Sequence, residues 1–172
     1  MATTTTTTTA APIVTTFGLQ ILTPMNKIER VSRQIDPAVF RAVQGIWAEL
    51  QNDGSLLNIV TSTPAKINKL VLGSRSGNIY EGHDTAHGRI ATMESFGVRC
   101  RISNNLYDGI TSAISMGDRL VVSTAALTKG QLISAETTAE TGSYEVVGRC
   151  EEINDLQGYM IFRTVSPVMV SL

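Results

Sequence analysis

The spacing of apolar positions changes once along this chain. Between Asp36 and Gly54, the residues Val39, Phe40, Val43, Ile46, Trp47 and Leu50 fall on one helical stripe, with Arg41, Gln44, Glu49 and Gln51 mostly off it. Asp36 can cap, Pro37 sits where its missing N–H does no harm, and Asn52-Asp53-Gly54 supplies a stop. The spacing predicts an amphipathic helix over 36–53. Just upstream, Ile28, Val31 and Ile35 also lie at helical spacing, but a strand reading stays open there.

Past Gly54 the pattern is one of short strands and turns. Candidate strands are 55–62, 96–103, 117–124, 130–137, 143–153, 158–165 and 167–172, with "INKLVLG" and "GNIYEG" earlier. Short strands at this spacing, with turn residues between them, predict a small β-barrel or sandwich. A single helix ahead of many strands fits a mainly-β or α+β chain, not an alternating α/β one. Val98, Cys100 and Ile102 should share one face of a strand, with Arg99 and Arg101 on the other. Tyr144, Val146, Gly148 and Cys150 should likewise share a face. Cys100 and Cys150 read as buried free thiols, and a bond between them requires neighbouring strands.

The first residues have no hydrophobic period. Thr3–Thr9 is an unbroken threonine run, and bulky apolar residues begin only at Ile13. Such a segment buries too little surface to offset its chain entropy, yet threonine suits an extended strand. Residues 1–22 are therefore expected to form a flexible arm, and 23–172 a single mainly-β domain. The apolar positions Ile13, Val14, Phe17, Leu19 and Ile21 are the candidate partner-binding residues of that arm.

Charge narrows the field. Only 17% of the 172 residues are charged, net −1, and the longest basic run is "RCR". That is below the usual quarter and offers no clustered basic stretch for nucleic acid. The start has no basic segment followed by an apolar one, so no secretory signal is expected, and no apolar run is long enough to span a bilayer. Synthesis in a cytoplasm as a soluble protein is the expectation.

The two histidines lie in "EGHDTAHGR". On a helix His83 and His87 would sit one turn apart, and Asp84 or Glu81 would have to complete a metal site. The flanking glycines make the stretch a loop, and no H-E-x-x-H pattern is present. "LVLGSRSGNIYEG" lacks the G-K-[ST] of a phosphate-binding loop. Glu151 and Glu152, adjacent on a strand, point to opposite faces and read as a solvated edge. No catalytic residue, cofactor or metal is assigned, and an enzyme is not expected.

The C-terminal third has a more specific pattern. Lys129-Gly130-Gln131-Leu132-Ile133 precedes Val146-Val147-Gly148-Arg149-Cys150-Glu151, then a turn at Gly158 and an apolar strand from Met160 to Val165. In this order, residues 115–172 resemble the β-barrel of capsid decoration (cement) proteins of tailed bacteriophages. The resemblance implies a virion structural protein on the outer capsid surface. It would act as a homotrimer and tie major capsid protein subunits together. It gives the threonine arm a role, adding as a strand to a capsid edge. Two other phage roles stay open: a connector or minor head part, or a tail component. Of other classes, a small metal-dependent enzyme using His83 and His87 and a ligand-binding barrel also stay open.

Overall fold

A computed structural model describes residues 18–34, 44–58, 68–72, 89–109 and 113–172. They build two antiparallel sheets. The larger has the order β1 (Leu19–Ile21), β7 (Arg99–Ser103), β11 (Tyr159–Ser171), β10 (Ser143–Asn154), β8 (Arg119–Val122), β9 (Leu132–Ser134). The smaller runs β2 (Arg30–Gln34), β6 (Arg89–Met93), β5 (Asn68–Val71), β3 (Trp47–Leu50), β4 (Leu56–Asn58). The mainly-β expectation holds, but the described strands do not close into a barrel. One parallel bridge, Tyr107 to Leu132, ties the edge strand β9 to the segment after β7.

The main core joins the two sheets. Trp47, Leu70 and Met93 of the smaller sheet pack with Cys100, Ile102, Leu120, Met160 and Phe162 of the larger. Val98, Cys100 and Ile102 are all buried, while Arg99 and Arg101 lie on the other face, so the alternation read from β7 is the one observed.

The helix expected over 36–53 is corrected where it is described. Residues 35–43 lie outside the described residues, but 47–50 form β3, paired with both β4 and β5. Trp47 N–H donates to Gly130 O in the β8–β9 turn of the larger sheet (3.0 Å), and just ahead of β3 Gly45 N–H donates to Val71 O of β5 (2.8 Å). Gly45 adopts φ +90°, which ends any helical path. The misleading signal has a physical cause. Ile46, Ala48 and Leu50 pack into a second apolar cluster, while Trp47 faces the main core. A strand buried on both faces carries apolar residues at both parities, and a short run of that kind imitates a helical stripe. Upstream, the open choice resolves to a strand: Met25–Lys27 is a 3-10 turn, and β2 follows it.

The two candidate strands at 158–165 and 167–172 are one, β11. Pro167 lies in the stretch between Thr164 and Val168 where the register with β10 slips, so its missing N–H costs no ladder bond there. The same irregularity corrects the face read for β10. Tyr144 and Val146 join an outer cluster with Val121 and Ile133, whereas Val147 and Cys150 enter the main core. Gly148 sits at this bulge with Phe162 against its Cα; a Cβ there would lie 2.9 Å from the ring.

Both thiols are buried and free. Cys100 and Cys150 each pair in register with Phe162, from opposite sides, so β11 separates their strands. Two strand spacings, about 9.6 Å, exceed the reach of a disulfide. Burial pushes the Cys100 thiol up to about 12. Burial, with the Asp118 carboxylate adding to it, pushes Cys150 to about 11. Neither is a nucleophile at neutral pH.

Candidate interaction surface

Of the residues the sequence offered for partner contact, Ile13, Val14 and Phe17 lie outside the described residues. Leu19 and Ile21 form β1, in register with Ile102 and Cys100. Leu19 is buried in the main core and Ile21 packs against it. The chain thus enters its own sheet at Gly18, whose carbonyl accepts from Ser103 N–H (3.0 Å). His83, Asp84, His87 and Glu81 lie outside the described residues, and no cluster able to hold a metal occurs among the described ones.

The entry point defines one end of the larger sheet. Asn104 N–H donates to Gly158 O (3.0 Å), which sets Gly18 and the β10–β11 turn side by side. That end exposes Leu156 (77%). Gly117 N–H donates to Cys150 O (2.9 Å), so the turn before β8, with exposed Met116 (76%), stands level with Phe162, Cys100 and Ile21 rather than with Gly18. β1 is an edge strand among the described residues, and Gly18 lies at the rim of the sheet. The opposite end has a second open feature. β7 pairs β11 only as far as Arg163, and beyond Thr164 the second edge of β11 has no strand partner among the described residues. Val168 (59%) is exposed on that stretch. Neither Met116 nor Val168 stood out in the sequence, because exposure of an apolar strand residue depends on which neighbours end early.

The loop between β9 and β10 is held by one carboxylate. Glu140 accepts from Ser123 Oγ (2.5 Å), Thr124 N–H (3.0 Å), Thr124 Oγ1 (2.7 Å) and Tyr144 Oη (2.8 Å). Gly142 and Leu172 exchange both backbone bonds, so the chain's last residue closes against the same loop and covers the outer cluster. Between the sheets lies a cleft of about 30 Å³, lined by Trp47, Asn68, Lys69, Phe96, Glu145 and Pro167 among others. That volume holds one or two waters, far below a small-molecule site. Glu145, 5% exposed, accepts there from Asn68 N–H (2.5 Å) and bridges β10 to β5.

These carboxylates respond to acid in two directions. Burial opposes ionisation of Glu94, Glu140 and Glu151, but their donors outweigh it and hold all three below the ordinary range. The donors are Lys69, Arg33 and Thr92 for Glu94; Ser123, Thr124 and Tyr144 for Glu140; and Arg163 and Arg99 for Glu151. Burial raises Glu145, against its bonds to Asn68. A lowered carboxylate stabilises the fold above its unfolded value and loses that contribution as pH falls through its folded one. Stability should therefore fall progressively below about pH 4.5, the ordinary glutamate value. Glu145→Gln keeps an acceptor for Asn68 and removes a desolvated charge, so it should raise the melting temperature at pH 7. Thermal melts across pH check both, and a lower Tm for Glu145→Gln at pH 7 would refute the assignment of Glu145 as a strained anion.

No family model matches this sequence, and no curated protein is detectably similar to it.

Proposed function

We propose that this chain is a virion structural protein of the decoration type, a cement that binds the outer surface of a phage head and stabilises contacts between major capsid subunits. The observation that carries the reading is the placement of Gly18. Gly18, the first described residue after the threonine-rich stretch, opens an edge strand at the end of the larger sheet where Leu156 is exposed. A stretch of β-branched hydroxyl residues leaving a sheet rim is suited to strand addition, in which backbone bonds give affinity and alternate side chains give specificity.

The turn chemistry of residues 115–172 supports the same reading. Gly130 and Gly158 take positive φ (81° and 65°) at the turns where the decoration-type pattern has glycine, and Gly148 makes a close strand approach. Oligomeric bridging would multiply individually weak contacts. The homotrimer and the capsid partner belong to this proposal.

The test is imaging of particles that carry the protein, with copies counted and the first 17 residues traced. Copies in the hundreds on the outer shell, with Ile13–Phe17 lying along a neighbouring subunit, are expected. A few copies at one vertex or along the tail would replace cement with a connector or tail part. Absence from every particle would overturn the viral reading, and metal analysis of the purified protein would then test His83 and His87.

A further inference from the structure

One face of the larger sheet carries a transverse row of arginines. Arg99 on β7 is in register with Arg163 on β11, Arg163 with Arg149 on β10, and Arg149 with Arg119 on β8. Directly opposed residues of an antiparallel pair project from the same face, so four guanidinium groups stand side by side over three strand spacings, about 14 Å. Like charges in this position destabilise a sheet. Two carboxylates offset part of the charge: Glu151 bridges Arg99 and Arg163 (2.6 Å each), and Glu136 pairs with Arg119 (2.8 Å). Arg149 instead donates from Nε to the Gly117 carbonyl (2.8 Å) and meets no carboxylate among the described residues.

The bonding pattern fixes the orientation of these groups. Each of the four engages its Nε–H inside the molecule. The Nη groups of Arg99, Arg119 and Arg149 make no hydrogen bond among the described residues, and the side chains of Arg99, Arg119 and Arg163 remain 43–49% exposed. Nε anchoring with free Nη groups presents a set of oriented donors with two positive charges in excess. A guanidinium so held loses little entropy on binding a carboxylate.

We infer that this arginine row is a docking surface for an acidic protein segment, one that presents carboxylates at about strand spacing. Charge complementarity sets the sign of the partner. Glu151 and Glu136 within the row favour discrete carboxylates, which can sit between them, over a continuous phosphate backbone, which would meet both. The inference does not depend on which assembly the chain joins.

The probe is a fluorescent oligoglutamate peptide titrated with the full-length protein at low and physiological salt, with oligothymidylate as comparison. Arg149→Gln together with Arg119→Gln should weaken oligoglutamate binding about tenfold or more and flatten its salt dependence. Arg149→Lys, which keeps the charge and loses the fork, should fall between. The melting temperature of Arg149→Gln should stay level or rise, because a like-charge opposition is relieved; a purely structural arginine would lower it. Unchanged peptide affinity in the double variant, a lowered melting temperature for Arg149→Gln, or tighter binding of oligothymidylate than of oligoglutamate would each overturn the inference.

Discussion

Removing residues 1–22 should unfold or severely destabilise the protein, whereas removing residues 1–17 should leave its denaturation midpoint unchanged. The five residues between the two cuts contain β1. Leu19 is 6% exposed within the main core, and Ile21 packs against that core. Gly18 O and Leu22 N–H bond to Ser103 and Arg99 of β7, so the longer deletion also strips one side of that strand. Burying a leucine contributes about 1.5–3 kcal/mol, and uncovering Cys100 and Ile102 beneath it adds to the loss. A total near 4 kcal/mol is a large share of the roughly 5–15 kcal/mol that holds a domain folded. Urea melts of the two truncations decide the matter. Equal midpoints would mean that β1 lies outside the cooperative fold. The comparison also protects the functional test: loss of particle binding after the shorter cut reports on the arm, whereas loss after the longer cut reports on folding.

What was legible in the sequence depended on how many faces of an element are buried. β7 alternates because one face meets the core and the other carries Arg99 and Arg101, and its burial follows the sequence from Arg99 to Ile102. β3 is buried on both faces, and its apolar positions read as helix. β10 was legible as a strand but not as an irregular one, and the irregularity near Gly148 puts Cys150 on the face of Val147 rather than on that of Tyr144 and Val146. Glu151 and Glu152 read as a solvated edge, yet β10 is an interior strand, and Glu151 binds arginines from two strands. Pairwise register is the information a single sequence does not carry. "RCR" and "GRC" each show one member of the arginine row, but only strand order aligns Arg99, Arg163, Arg149 and Arg119. The threonine run was legible as composition, but the strand at Leu19–Ile21, inside the stretch expected to be an arm, was not, because it depends on whether Leu19 finds a partner strand.

The contact between the two sheets gives the second large effect. Gly130→Ala should cost about 3 kcal/mol, and Gly97→Ala only the backbone part of that, about 1–2 kcal/mol. Both glycines have positive φ, 81° and 72°, so both variants incur the left-handed backbone penalty of about 1–2 kcal/mol. Their surroundings differ. Nothing lies within 4 Å of a Cβ at Gly97. At Gly130 the new atom would fall 2.6 Å from Ile46 Cγ1 and 2.9 Å from the Trp47 carbonyl oxygen. Ile46 can rotate only within the cluster it shares with Ala48 and Leu56, and the Trp47 oxygen belongs to a paired strand. The methyl group must therefore push β3 away from the β8–β9 turn. That movement breaks the Trp47 N–H to Gly130 O bond, one of the bonds by which the turn of the larger sheet holds the smaller. Separation there would also loosen Trp47 in the main core, so its fluorescence should shift toward that of an exposed indole in Gly130→Ala and stay put in Gly97→Ala. Chemical denaturation of the two variants, followed by this single tryptophan, measures both quantities at once. Equal losses for the two substitutions would show that only backbone conformation matters at Gly130, and that the sheets are not held together at this turn.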